Sequence, residues 1–335
     1  MRLRRPFSGR AAVLGLLALL AVLVVMSLFT GPVDMSARRL IEGAWAGELV
    51  PSRILLDLRL PRTVLCVAIG AALGISGAAM QGLLRNPLAE PGLLGVSSGA
   101  ALGAVLALYT GFADRFALAL PLAGFAGTAL SVGFVFFLAG RHTATMALIL
   151  AGVAVSSLCG ALISLVLNWS PNPVAVNEIV FWMLGSLADR STRDMGLAVP
   201  FIAVGGGLLL SGRRGLAALS LGEEAAHSLG IGLAGLRTRM LLGCALCVGA
   251  SVSVSGSIGF IGLVAPHLMR PWVQGDPARL LALSALAGAV LLTVADLGVR
   301  LLHFRGPEIK LGVLTALVGA PFFLILILRT RRSLL

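Results

Sequence analysis

The chain has 335 residues, 58% of them hydrophobic and 12% charged, with a mean hydropathy of +1.00 and a net charge of +12. A soluble globular domain has roughly a quarter of its residues charged, so the composition excludes a water-soluble globule and points to a polypeptide solvated by lipid. The positive surplus does not describe a nucleic-acid-binding face, because the arginines sit between long apolar runs rather than on one polar surface.

In chain order, a basic start (Arg2, Arg4, Arg5, Arg10) leads into an uncharged run at 11–29. That run is too long for a signal peptide and no small-residue cleavage site follows it, so it reads as a retained first helix. A hydrophilic interruption covers 31–62. Uncharged runs at 63–84, 91–113 and 116–140 each predict one crossing. Residues 142–177 predict one span with a Pro-rich exit, Trp169-Ser170-Pro171-Asn172-Pro173, after which Trp169 and Trp182 are expected at the outer interface, bordering the cargo mouth or serving as belt residues. A span at 195–212 precedes a second hydrophilic interruption at 213–239. Residues 240–269 predict two spans broken near Gly256, and runs at 280–295 and 311–328 complete about ten helices.

With the N-terminus in the cytoplasm, Arg213, Arg214, Arg329, Arg331 and Arg332 join the N-terminal arginines on the cytoplasmic side, as the positive-inside tendency requires. Arg38, Arg39, Arg53, Arg59 and Arg62 work against it locally. Both termini are therefore expected in the cytoplasm, with the whole chain, 1–335, as one transmembrane domain. Its divisions are a first helix at 11–29, a first repeat at 62–177, a linking helix and cytoplasmic loop at 178–236, and a second repeat at 237–328. The repeat rests on Ser76-Gly77 before Pro87 and Ser255-Gly256 before Pro266 at equal spacing, as in transporters with inverted repeats. The 42 glycines fit close helix approach. Cys66, Cys159, Cys244 and Cys247 lie in apolar runs and read as packing residues, and His142, His227, His267 and His303 have no metal-ligand spacing.

A phosphate-binding loop needs a Lys followed by Ser or Thr, whereas Lys310, the only lysine, is followed by Leu311. If ATP drives transport, another subunit must hold it. Residues 221–231 predict a short amphipathic helix punctuated by Gly222 and Gly230, suited to a partner's groove or equally to a solvated connector. Asp296 and Arg300 are spaced to pair along one helix face. Asp296 is also the natural proton relay of an ion-coupled secondary transporter, the rival reading.

Several stretches resemble the signature of the FecCD family. They are Leu60-Pro61-Arg62, 76–81, the run 85–96 that holds Asn86-Pro87, Gly99-Ala100, the run 259–267 that ends in Pro266-His267, Ala295-Asp296, 312–316 and 319–322. The resemblance implies an all-α permease of about ten transmembrane helices with the fold of type II ABC importers, in a bacterial inner membrane. Its partners would be a second copy, as homodimer or heterodimer, a cytoplasmic ATPase dimer that uses ATP and Mg, a periplasmic or lipid-anchored substrate-binding protein, and lipid. The chain itself would bind no cofactor, and no nucleic acid is implied.

The same resemblance assigns Arg59, Arg62 and Arg300 to binding-protein docking, as exposed forks for carboxylates. It assigns Gly222, Glu223, Ala226, Leu229 and Gly230 to ATPase coupling, and Thr145 and Met146 to a cytoplasmic gate, where Met146 is bulkier than the family's small hydroxyl residue. Gln81, Asn86, Pro87, Pro266 and His267 receive architectural roles, the two amides as interhelical hydrogen bonders and the two prolines as helix breaks. The implied cargo is an iron-siderophore complex or haem, with cobalamin as the alternative.

Overall fold

The computed structural model describes residues 9–31, 33, 35–116, 118–140, 145–273, 275–302 and 308–332. Among the described residues there is no strand. Lipid offers no partner for backbone N–H and C=O groups, so each crossing segment satisfies them internally as a helix.

The elements run α1 (Gly9–Phe29), α2 (Ala37–Trp45), α3 (Leu49–Arg53), a π-helical turn (Ile54–Arg59), α4 (Leu60–Leu83), a 3-10 turn (Pro91–Leu94), α5 (Val96–Tyr109) and α6 (Ala119–Ala139). They continue with α7 (Thr145–Trp169), α8 (Pro173–Met183), α9 (Thr192–Ser211), α10 (Arg213–Leu219), α11 (Glu223–Ser228), α12 (Leu233–Ser255), α13 (Ile261–Val273), α14 (Pro277–Leu301) and α15 (Leu311–Arg332). Among the described residues seven helical stretches are long and apolar enough to cross a membrane, and Val96–Tyr109, Pro173–Met183 and Leu311–Ile325 are shorter apolar helices.

Local chemistry explains the boundaries. Ser191 and Asp194 form a reciprocal capping box that starts α9, and Asp276 caps α14 by accepting from the Ala278 N–H at 2.8 Å. The segment expected to cross at 91–113 divides instead into the 3-10 turn and a 14-residue α5. Pro91 lacks a donor, and Gly95 adopts the left-handed conformation at φ 74°. The break expected near Gly256 is present between α12 and α13, with Gly256 at φ 72° and Phe260 at φ 68°.

At the centre, α4 packs against α14 through small residues. A Cβ on Gly74 would lie 2.0 Å from the Ser284 carbonyl oxygen, closer than any side chain tolerates, so the two backbones touch because no side chain intervenes. The helices α4, α12 and α14 are mostly buried, whereas α1 lies at the periphery with its middle exposed.

Several expectations are corrected. The divisions drawn at 178 and 237 fall inside α8 and α12. Of the two Ser-Gly pairs, Ser76-Gly77 lies within the last third of α4 and Ser255-Gly256 at the C-terminal end of α12. Pro266 does not interrupt a helix: α13 runs through it to Val273, a helix whose neighbours hold it in place despite the missing donor. Trp169 is exposed, but Trp182 is buried in α8 rather than at the interface, because α8 turns back against α5 and the core.

Candidate functional site

The polar groups gather at the two ends of α4, about 28 Å apart by helical rise from Arg62 to Gln81. At the first end, Asp296 of α14 is fully buried. Its Oδ1 accepts from Arg62 Nε at 3.0 Å and Nη2 at 2.8 Å, and its Oδ2 accepts from Arg300 Nη2. Arg62 Nη2 also donates to Glu308.

The C-terminal carbonyls of α1 lack helical partners, and arginines supply them. Arg300 Nη1 donates to the Ser27 and Thr30 carbonyls at 2.8 and 2.9 Å. Arg59 donates to Leu28 at 3.2 Å and to Val33 at 2.9 Å. The Ser27 and Thr63 hydroxyls bond at 2.7 Å. This lattice fastens α1 to α4 and α14.

Arg59, Arg62 and Arg300 are therefore not the exposed forks expected. Their exposures are 4, 8 and 6%, because orphan carbonyls and a buried carboxylate take up their donors. The pairing of Asp296 with Arg300 along one face is present as the spacing predicted. The contacts of Arg62 with Asp296 and of Arg59 and Arg300 with α1 were invisible to sequence reasoning, since they join residues far apart in the chain. Reasoning from the sequence also missed Arg190, which stands beside this cluster in the polar run before α9. Burial pushes its guanidinium below the ordinary range, opposed by Asp194 and Asp189.

At the opposite end, α10, α11 and the start of α12 form the connection expected at 221–231. Gly222 at φ 117° and Gly230 at φ 79° bound α11, backbone conformations that disfavour any side chain. Glu223 Oε1 accepts from Arg237 Nη2 at 2.7 Å, tying α11 to α12. Leu221 and Leu229 are 71 and 62% exposed. Ala226 is fully buried, so its expected contact with a partner is corrected: it packs inward, and its carbonyl accepts from the Ile231 N–H.

Near this end Gln81 does make an interhelical bond, accepting from Arg270 Nη2 at 2.8 Å. Asn86 does not; its Oδ1 accepts from the Leu88 N–H, a local turn that follows from its place in an exposed loop. Pro87 lies in that loop, beyond the end of α4. His267 meets the edge of Phe322 at 5.8 Å between ring centroids. Glu90 sits between α4 and the 3-10 turn within 3.4 Å of the Phe260 N–H. Burial pushes its carboxyl above the ordinary range, against the pull of that N–H.

For the gate pair, Thr145 begins α7 and Met146 is 71% exposed, while Arg141 and His142 lie outside the described residues, as does His303. An open apolar groove of about 680 Å³ runs along α15, lined by Leu184, Val313, Ala316, Leu317 and Leu324 among others. Among the described residues no three His, Cys, Asp or Glu side chains converge as metal ligands.

The sequence profile of the FecCD transport family matches residues 19–329. The hemin transport system permease HmuU of Yersinia pestis is 40% identical over 322 residues, 95% of each chain. The vitamin B12 import system permease BtuC of Escherichia coli O9:H4 is 39% identical over 321 residues, 96% of this chain and 94% of that one. Among solved structures, a metal-chelate type ABC transporter in an inward-facing conformation superposes with a TM-score of 0.83 at 32% identity, covering 96% of this chain and 99% of that one.

Proposed function

Since the chain belongs to the FecCD transport family, the permeases of ABC importers, we propose that it passes an iron chelate, a siderophore complex or haem, inward across a bacterial cytoplasmic membrane. The observation that carries the cargo is the 40% identity to a hemin permease over 95% of both chains. The TM-score of 0.83 to a metal-chelate transporter agrees with it. Cobalamin is the second reading, favoured by the 39% identity to a vitamin B12 permease.

Energy comes from a separate ATPase dimer on the cytoplasmic face, which uses ATP with Mg. It grips α11, where Leu229 and Leu221 offer exposed apolar knobs and the tie between Glu223 and Arg237 carries displacement into α12. Because α12 packs on α4, α6 and α9, movement at α11 reaches the centre of the bundle.

At the opposite end a substrate-binding protein, periplasmic or lipid-anchored, delivers cargo. Arg59, Arg62 and Arg300 act there by setting the shape and positive potential of the rim rather than as free forks. The groove along α15 forms one wall of a passage shared with a second copy, homodimeric or heterodimeric, and suits a bulky, weakly polar chelate. Met146, exposed at the start of α7, narrows the cytoplasmic exit beside Thr145. Both termini lie in the cytoplasm.

The test is reconstitution of the permease with its ATPase and binding protein in proteoliposomes, with uptake of haem, ferric siderophores and cobalamin compared. ATP-dependent accumulation of an iron chelate is expected. Uptake confined to cobalamin would replace the cargo, and uptake driven by a proton gradient without the ATPase would overturn the reading.

A further inference from the structure

Lys310, the only lysine in the chain, stands at the head of the groove along α15. Its ammonium lies over the Phe181 ring of α8, 5.8 Å from the centroid. Phe181 precedes Met183 by two residues and Lys310 precedes Gly312 by two, and both Met183 and Gly312 line the groove. The backbone holds this pair in place. The Lys310 carbonyl accepts from the Val313 N–H at 3.1 Å, and the Gly312 N–H donates to the Gly185 carbonyl, just past α8, at 3.2 Å. Glu308, two residues before Lys310, is bonded to Arg62, so the pair sits at the end of the bundle where cargo arrives.

The charge of Lys310 is unbalanced. Among the described residues no carboxylate pairs with it, and the nearest acid in sequence, Glu308, is taken by Arg62. Residues 303–307 are His, Phe, Arg, Gly and Pro, so that stretch supplies no acid. An ammonium has three donors that an aromatic face cannot saturate, and a carboxylate is its stronger partner. The Phe181 ring is 55% exposed and leaves a face on which a flat molecule can stack. Beyond the pair, Leu184, Val313 and Leu317 make the groove apolar.

We propose that Lys310 and Phe181 form the entry contact for the cargo and select a chelate with a carboxylate at its edge and a flat aromatic body. Among iron chelates that is the chemistry of haem, not of an uncharged ferric hydroxamate. The ammonium takes a propionate, Phe181 stacks on the macrocycle, and the apolar groove receives its body. The inference rests on the iron-chelate reading and narrows it.

The test has two arms. Uptake of haem is measured in proteoliposomes holding the permease, its ATPase and its binding protein. Binding of iron protoporphyrin IX and of its dimethyl ester to the permease–ATPase complex in nanodiscs is followed by absorbance, with empty nanodiscs subtracted. Lys310→Gln should raise the half-saturating haem concentration about tenfold, the change for about 1.4 kcal/mol, and slow uptake in parallel. The same variant should leave binding of the ester unchanged, because the ester has no charge to pair. Lys310→Arg should restore haem binding. Phe181→Leu should weaken acid and ester alike by about threefold, the loss of one stacking contact. Arg193→Gln, which removes an exposed charge from α9, should change neither.

Haem uptake that is indifferent to Lys310→Gln, or equal binding of acid and ester, would overturn this inference and leave the iron-chelate reading in place. Haem binding that never saturates would overturn it as well. Equal impairment of Lys310→Gln and Lys310→Arg with a lowered unfolding midpoint would assign Lys310 a structural role instead. Uptake of cobalamin without any iron chelate would remove both the reading and the inference.

Discussion

The two ends of α4 handle charge in opposite ways. At one end Arg62, Arg300 and Asp296 are buried together and draw the end of α1 onto the bundle. At the other, α11 stands exposed on two glycine hinges, with a half-exposed Glu223 bonded to a buried Arg237. The difference teaches that charge in this membrane protein fastens helices to one another where it is enclosed, and stays within reach of water where it is open. A buried lattice resists displacement because each broken contact strands a charge, while the ion pair of α11 lies in contact with water and costs less to break.

The sharpest way to break the comparison is Asp296→Ala. It strands two buried guanidiniums and should destabilise the bundle by about 3–5 kcal/mol, read as a fall in the unfolding midpoint in detergent. A midpoint within a degree of the parent would show that the lattice is ornamental.

Next in size is the functional effect at the other end. Leu229→Glu combined with Glu223→Arg should cut ATP-driven uptake by about tenfold or more, equivalent to ~1.4 kcal/mol of coupling, while ATP hydrolysis continues. Unimpaired uptake would remove α11 from the coupling path. A smaller effect sharpens the contrast from the same place: Glu223→Ala alone should alter stability by no more than ~1 kcal/mol, as for an ion pair in contact with water. High salt should weaken that pair and leave the pairs of Asp296 nearly unchanged, which a comparison of unfolding midpoints at low and high salt would detect.

The smallest effect concerns Glu90. An acid whose folded pKa is raised contributes most below its unfolded pKa and loses that contribution as pH rises through the folded value. Glu90→Gln should therefore give a slight rise in the unfolding midpoint at neutral pH that vanishes toward acid. A rise equal at both pH values would assign the effect to packing instead.

Much of the bundle was legible in the chain because hydropathy is a local property. The runs at 11–29 and 280–295 fall within α1 and α14, the run at 195–212 ends one residue beyond α9, and the break near Gly256 followed from a residue that admits positive φ. The turn at Pro91–Leu94 was lost because the uncharged run around it reads as continuous to any count of apolar residues. The motifs from Leu60 to Phe322 identified the family.

What the amino-acid sequence determined by itself was therefore the solvent, the spans and the kinship, all of which depend on residue type and near neighbours. The tertiary structure alone decided that Arg59, Arg62 and Arg300 turn inward, that Trp182 and Ala226 are enclosed, and that Arg190 joins a cavity with three other arginines. The reason is that a guanidinium takes its donors to whichever acceptor folding brings within reach, and Asp296 comes to Arg62 across 234 residues of chain.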